Sequence, residues 1–90
     1  MAVSDWSEIE ATLRALLADV LGLDAARMAT FDEQTLLFGA LPELDSMAVA
    51  TLLTGIEERF AVLIEDDDVG AEDFVTFGTL LAFVRRKALV

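Results

Sequence analysis

Three stretches of this chain place apolar residues at intervals of three and four, the spacing of one face of an α-helix. The first ends at Gly22, the second runs from Ser46 to about Phe60, and the third begins at Thr76. A short helical turn is also expected at Ala71–Phe74. The pattern predicts an all-α fold, an antiparallel four-helix bundle of three main helices and one short helix. The apolar residues of each stretch form a stripe along one face of the helix. The three stripes are Ile9, Leu13, Leu16, Leu17 and Val20; Val49, Leu52, Leu53, Ile56 and Phe60; and Phe77, Leu80, Leu81 and Val84.

Capping residues mark the ends of these helices. The first helix has two possible starts, Ser4 or Ser7, and Ser7 would form a capping box with Glu10. Gly22 is suited to the left-handed conformation that commonly ends a helix. Thr76 is the expected N-cap of the last helix.

Residues 24–43 show no sustained period and predict a long loop between the first two main helices. We expect Leu36, Leu37, Phe38 and Leu41 to pin this loop across the bundle. A loop of this length inside a compact domain is usually functional. The alternative is a plain connector with one turn of helix over residues 30–34. The whole chain, residues 1–90, is expected to form one domain that is ordered over about residues 4–88.

The seven residues that lead into the second main helix, residues 41–47, read Leu-Pro-Glu-Leu-Asp-Ser-Met. Pro42 disfavours helix in the residue before it, so the chain arrives extended. Asp45 is a good N-cap, because its carboxylate accepts from the unpaired amides of the first turn. Ser46 then takes the first helical position, beside the positive end of the helix dipole. A phosphate ester on its hydroxyl would be electrostatically favoured there.

The run Leu44-Asp45-Ser46-Met47, followed by an apolar helix and Glu57-Glu58-Arg59-Phe60, resembles the attachment site of acyl carrier proteins. The similarity extends over roughly residues 6–84. It implies an acyl-carrier-protein-like fold and a covalent 4′-phosphopantetheine on Ser46. The thiol of that arm would hold an acyl or aminoacyl group as a thioester. Asp45 would assist the complex with the phosphopantetheinyl transferase that attaches the arm.

The same resemblance implies a partner-binding face on the second helix. In the family, the residue after the serine and small or apolar residues along this face contact partner enzymes. The resemblance therefore implies partner contact by Met47 and Ala50, together with the acids Glu57 and Glu58. The alternative for Met47 is an ordinary core residue. Many fatty-acid carriers have further acids on this face. This chain has Ala48 and Thr51 at those positions.

The net charge of −11 is concentrated around and after the serine, since residues 28–84 hold 12 acids and one base, Arg59. Such a surface repels nucleic acid. It attracts basic protein patches and speeds their association. The expected partners are therefore the transferase and acyl-activating ligase or synthase enzymes with basic docking patches, and the carrier itself is expected to be a monomer. The alternative is that the acidity only keeps the protein soluble.

Composition argues against an enzyme. The chain has no His, no Cys and a single Lys, so Ser46 has no base beside it in sequence and no thiolate metal site or disulfide is possible. The acidic run at residues 65–68 fails the EF-hand pattern, because position twelve of that pattern falls on Thr76. We predict no catalytic residue and no specific metal site.

Neither a secretory signal nor an apolar run of the ~20 residues needed to span a bilayer is visible, so a cytoplasmic protein without a membrane span is expected. The sequence of residues 41–47, Leu-Pro-Glu-Leu-Asp-Ser-Met, resembles that of free-standing bacterial carriers that act beside dedicated acyl-activating ligases. The pathway, whether fatty acid, polyketide or other, is left open. So is a second function, an unmodified acidic helical adaptor with a carrier fold.

Overall fold

The computed structural model describes residues 6–88 of the chain. Three main helices lie within these residues, and the predicted all-α architecture is confirmed. Within the described residues there is no strand, only an isolated antiparallel bridge between Leu36 and Thr76. The elements in order are α1 (Trp6–Leu21), α2 (Ala25–Ala29), α3 (Ser46–Phe60), a 3₁₀ turn (Ala71–Phe74) and α4 (Phe77–Ala88).

The three predicted apolar stripes form the core, with α1 packed against both α3 and α4. The α1–α3 contact is close at Gly55, where a Cβ atom would lie 2.6 Å from a methyl carbon of Leu16. Three residues placed in the stripes are only partly buried: Val20, Val49 and Leu53. The last two border an open cleft instead of a neighbouring helix, and they matter for the site below.

Helix α1 already includes Trp6, so Ser7 is not its N-cap and that predicted start is wrong. Ser4 lies outside the described residues. At the other end, Gly22 has a φ of 68° and the Leu23 amide donates to the Ala18 carbonyl at 3.0 Å. This is the six-to-one hydrogen bond of a Schellman motif, as Gly22 predicted.

The predicted long loop at residues 24–43 contains a five-residue helix, α2, which the sequence reading missed. The carboxylate of Asp24 caps it by accepting from the Arg27 amide at 2.8 Å, and Met28 buries its side chain. The alternative of a helical turn over residues 30–34 is wrong, because α2 ends before it. Helix α2 is too short to show an apolar period of its own, which is why the pattern did not reveal it.

The loop is pinned by fewer residues than predicted. Leu37 is fully buried and Leu41 is partly buried, as expected. Leu36 and Phe38, however, keep 57% and 50% of their surface exposed, so the expectation that their side chains pin the loop across the bundle is wrong. Because Leu37 points inward from an extended segment, its two neighbours are turned away from the core.

Arg14 holds the end of α2 against α1. Its guanidinium donates to the carbonyls of Met28 at 3.0 Å and Phe31 at 2.8 Å, and to the carboxylate of Glu10 at 3.0 Å. The same group lies 4.8 Å from the ring centroid of Phe77 in α4. One side chain therefore joins α1, the end of α2 and α4, and it fixes where the following loop begins.

Replacing Ala61 by glycine is expected to stabilise the protein by about 0.5–1 kcal/mol. Ala61 ends α3 in the left-handed conformation with a φ of 54°, which strains any residue that has a Cβ atom. Denaturant unfolding measures the change. The matched control is Ala50→Gly, which is exposed within α3 and should destabilise by about 1 kcal/mol. The same sign of change in both variants would contradict the assignment.

Candidate functional site

Asp45 and Ser46 form the predicted start of α3. Asp45 is extended, with φ −99° and ψ −176°, and its Oδ1 accepts from the Ala48 amide at 2.8 Å. Its carbonyl accepts from the Val49 amide at 2.9 Å. Leu44, which is buried, anchors the chain just before the cap. The capping prediction is confirmed, and it places Ser46 as the first residue of the helix.

The hydroxyl of Ser46 lies at the surface of the protein. The residue is exposed, and its side chain makes no hydrogen bond to any residue between 6 and 88. The first amides of α3 surround it, and only one of them is occupied by the Asp45 side chain. A phosphate group on this oxygen would therefore lie beside the positive end of a helix of 15 residues.

Ser46 also borders an open apolar cleft of about 320 Å³, between α3 and the 3₁₀ turn. This volume lies at the lower end of the range of about 300–1,000 Å³ for pockets that bind small molecules. In the described part of the chain, none of the side chains that line the cleft is charged. The lining residues are Phe38, Ser46, Val49, Leu53, Val69, Gly70, Ala71 and Phe74.

The loop before Ser46 is hydrogen-bonded to the far wall of this cleft. The amides of Leu37 and Phe38 donate to the carbonyls of Val75 and Phe74, each at 2.9 Å. In the other direction, the Phe77 amide donates to the Thr35 carbonyl at 2.8 Å. These bonds join the segment that precedes the serine to the junction between the 3₁₀ turn and α4. The cleft is thus bounded by three parts of the chain that are distant in sequence.

An ion pair links α2 to the residues just before the site. The Arg27 guanidinium donates to both carboxylate oxygens of Glu43, with Nη2 3.2 Å from Oε1. The hydrogen bond from Arg27 holds the pKa of the Glu43 carboxyl below its usual value, and the carboxylate raises the pKa of Arg27. Both side chains are at the surface, so the pair orients the loop more than it stabilises the fold.

Replacing Glu43 by glutamine is expected to lower the free energy of unfolding at pH 7 and to have a smaller effect in acid. Because the folded-state pKa lies below 4.5, the carboxylate stabilises the protein above about that pH and loses this effect as the pH falls through its lowered pKa. Denaturant unfolding at about pH 7 and pH 3 measures both differences. Glu58→Gln is the surface control. A difference from wild type that is equal at both pH values would contradict the role of the ion pair.

The outer face of α3 lies next to Ser46 and exposes Met47 to 80%, together with Ala50. The alternative of Met47 as a core residue is therefore excluded. Thr51 and Thr54 donate their hydroxyls to the helix carbonyls of Met47 and Ala50, at 3.0 and 3.2 Å. With these hydroxyls satisfied inside the helix, the face offers mainly apolar contact.

The two acids predicted for partner binding differ in environment. Glu58 is exposed. Glu57 is half-buried, and its carboxylate accepts from the Ile64 amide at 2.8 Å, which ties the segment after α3 back to the helix. The role of Glu57 in partner binding stays a prediction. Its hydrogen bond with the Ile64 amide gives it a structural role as well. Arg59, the isolated base of the acidic region, pairs with Asp19 of α1 at 2.6 Å.

The acidic run is held by the basic end of α4. The carboxylate of Asp68 accepts from the Glu65 amide and from Lys87, each at 2.9 Å, and both contacts lower its pKa. Arg86 lies 3.6 Å from Asp73, which caps the 3₁₀ turn.

In the described range no three acidic side chains are grouped to hold a metal ion. No helix there is long and apolar enough to cross a bilayer.

Three residues contribute to the site although the sequence did not predict a role for them there: Arg14, Arg27 and Phe38. The two arginines orient α2 and the loop, and the phenylalanine borders the cleft. The sequence offered one signal for the two arginines: each is a base that lies outside the last helix, in a chain with only six bases and 17 acids. For Phe38 the signal was a large aromatic residue beside a glycine in a loop.

The profile of the family described as "Phosphopantetheine attachment site" matches residues 11–85. The structure resembles the solution NMR structure of the holo acyl carrier protein from Nitrosomonas europaea, with a TM-score of 0.76 and 42% sequence identity. That match covers 87% of this chain and 92% of the other. A comparison with curated proteins gives no match. The chain belongs to the acyl carrier protein family, whose members are carriers with a phosphopantetheine attachment site and not enzymes.

Proposed function

We propose that this protein carries an acyl group as a thioester on a 4′-phosphopantetheine arm that is attached to Ser46. The observation that supports this most is the exposed hydroxyl of Ser46 at the N-terminus of α3, which has no hydrogen-bond partner among residues 6–88 and lies on the border of an apolar cleft. The residues fit the group, because the helix end favours the phosphate and the cleft favours an apolar cargo. When bound, the arm supplies a thiol that forms thioesters. We also propose that residues 1–90 form one carrier domain.

An acyl cargo suits the cleft better than an aminoacyl cargo. The cleft is lined by aliphatic and aromatic side chains around the Ser46 hydroxyl. The ammonium group of an aminoacyl thioester would lose hydration against this apolar lining, which is costly. An aliphatic chain gains free energy in proportion to the apolar area it buries.

Attachment of the arm needs an external enzyme. The chain has no His, and its one Lys, Lys87, pairs with Asp68. A transferase must therefore accept the Ser46 proton while the Ser46 oxygen bonds to the pantetheine-side phosphorus of coenzyme A and the 3′,5′-ADP part leaves. Asp45 contributes by holding the helix start. Only its Oδ1 is hydrogen-bonded within the described residues, which leaves the other oxygen for the transferase complex.

The partner enzymes are proposed to dock on the α3 face beside Ser46. Met47 and Ala50 supply apolar contact there, and Met side chains adapt to different partners. The surrounding acidic surface, with Glu58 exposed, would guide acyl-activating ligase or synthase enzymes that carry basic patches. We propose that the carrier acts as a monomer in the cytoplasm, where coenzyme A is available for its modification.

Incubation with coenzyme A and a broad-specificity phosphopantetheinyl transferase tests the proposal. Intact-mass analysis should show the addition of one phosphopantetheine group, and peptide mapping should locate it on Ser46. Subsequent loading with an acyl group should add the mass of that acyl group and be reversed by hydroxylamine. An unmodified protein after treatment with a transferase that modifies a known carrier in the same tube would overturn the proposal and leave an acidic helical adaptor.

A further inference from the structure

We propose that Met47 is a reversible oxidation site: a peroxide converts its thioether to a sulfoxide, and the sulfoxide weakens the docking of partner enzymes beside Ser46. The inference rests on the proposed function, because it takes the α3 face beside Ser46 as the docking surface. It gives Met47 a chemistry of its own in addition to its apolar contact.

The thioether of Met47 is open to a dissolved oxidant. Its side chain keeps 80% of its surface exposed, in the first turn of α3 and directly after Ser46. The side chain of Met28 keeps only 6%. The chain has no Cys, so its remaining sulfur atom is that of Met1, which lies outside the described residues. Because oxidation follows exposure of the sulfur, a peroxide should react with Met47 well before Met28.

The reaction requires no protein group besides the sulfur. With hydrogen peroxide, a sulfur lone pair attacks one oxygen, so that an S–O bond forms and the O–O bond breaks. The departing hydroxide takes the proton of the transferred oxygen and leaves as water. The sulfur is oxidised by two electrons and the peroxide is reduced by two. Methionine sulfoxide reductases reverse the change with a thiol reductant, which becomes a disulfide while the oxygen leaves as water.

The sulfoxide changes the surface that a partner enzyme must approach. Long helical side chains lean toward the N-terminus of their helix, and this directs Met47 to the end of α3 that carries Ser46. The neighbouring Thr51 hydroxyl already donates to the Met47 carbonyl at 3.0 Å. A sulfoxide oxygen would therefore lose hydration in an otherwise apolar contact, which is unfavourable. Because Met47 is not part of the core, the same oxygen should leave the fold unchanged.

The experiment treats the protein, before attachment of the arm, with limiting hydrogen peroxide and then removes the excess with catalase. Coenzyme A and the transferase are added next, and intact mass follows attachment over time. Peptide mapping should find one oxygen on Met47, and thermal unfolding should be unchanged. The kcat/KM of the transferase for the carrier should fall about tenfold, mainly through KM, as expected for loss of one buried methionine contact. Both methionine sulfoxide reductases, one for each epimer, with dithiothreitol should restore the untreated rate.

Two variants separate Met47 from the other methionines. Met28→Leu keeps Met47, so treatment should slow it by the same factor as wild type. Met47→Leu keeps Met1 and Met28, and its rate, whatever the untreated value, should be equal before and after treatment. If Met28→Leu does not fold, Met47→Leu alone decides the matter.

A wild type that keeps its rate with Met47 oxidised would overturn the oxidation site as a control of docking while the carrier function stands. A treated Met47→Leu that slows, or oxygen on Met28 while Met47 remains a thioether, would do the same. Failure of the untreated wild type to accept the arm would instead overturn the carrier function, and the role of Met47 with it.

Discussion

Replacement of Ser46 by alanine is expected to abolish phosphopantetheine attachment completely while the fold is retained. In the proposed function the arm is joined through the Ser46 oxygen, so removal of that oxygen leaves no atom for the ester bond. The fold should survive, because the Ser46 hydroxyl makes no hydrogen bond within residues 6–88 and the Asp45 cap is unchanged. Intact mass after transferase treatment measures attachment, and circular dichroism measures the helical content.

The control for this experiment is Ser7→Ala, which removes an exposed serine of α1 and should leave attachment at the wild-type level. The chain has three serines, so the pair of variants tests whether position or residue type decides modification. A Ser46→Ala protein that still gains the mass of one arm would show that the site lies elsewhere. A Ser46→Ala protein that loses its helical content would show that the hydroxyl has a structural role.

The start of α3 could be predicted from the sequence because every interaction that defines it is local. Asp45, Ser46 and Ala48 lie within one helical turn, and the capping bond depends only on that spacing. The Schellman motif at Gly22 is local in the same sense. The cleft beside Ser46 is different, since its walls come from residues 38–74, and only the tertiary fold brings them together.

The contacts that orient the loop could not be derived from the pattern for the same reason. Arg14 and Phe31 are 17 positions apart, and Arg27 and Glu43 are 16 apart. Each pair involves charged or polar groups, for which the apolar period carries no information. The exposure of Phe38 was mispredicted because hydrophobicity indicates that a residue favours burial, not whether a neighbouring element is present to bury it.

Replacement of Leu52 by alanine is expected to destabilise the protein by about 2–5 kcal/mol. Leu52 is fully buried on the α3 face that packs against α1, so the truncation removes apolar burial and leaves a cavity. That loss is a large part of the total stability of about 5–15 kcal/mol typical of a domain. Urea unfolding measures it as a fall in the midpoint at constant slope.

The neighbouring Leu53→Ala is the matched control and should cost only about 1 kcal/mol, because Leu53 is partly buried and borders the cleft. Both variants make the same chemical change in the middle of one helix, so the gain in helix propensity cancels in the comparison. The apolar spacing alone assigns both leucines to the core. The structure distinguishes them, because Leu52 is buried where α3 packs against α1 and Leu53 borders the open cleft. Equal destabilisation by the two variants would mean that the cleft is filled by protein, and an acyl chain would then have no space beside Ser46.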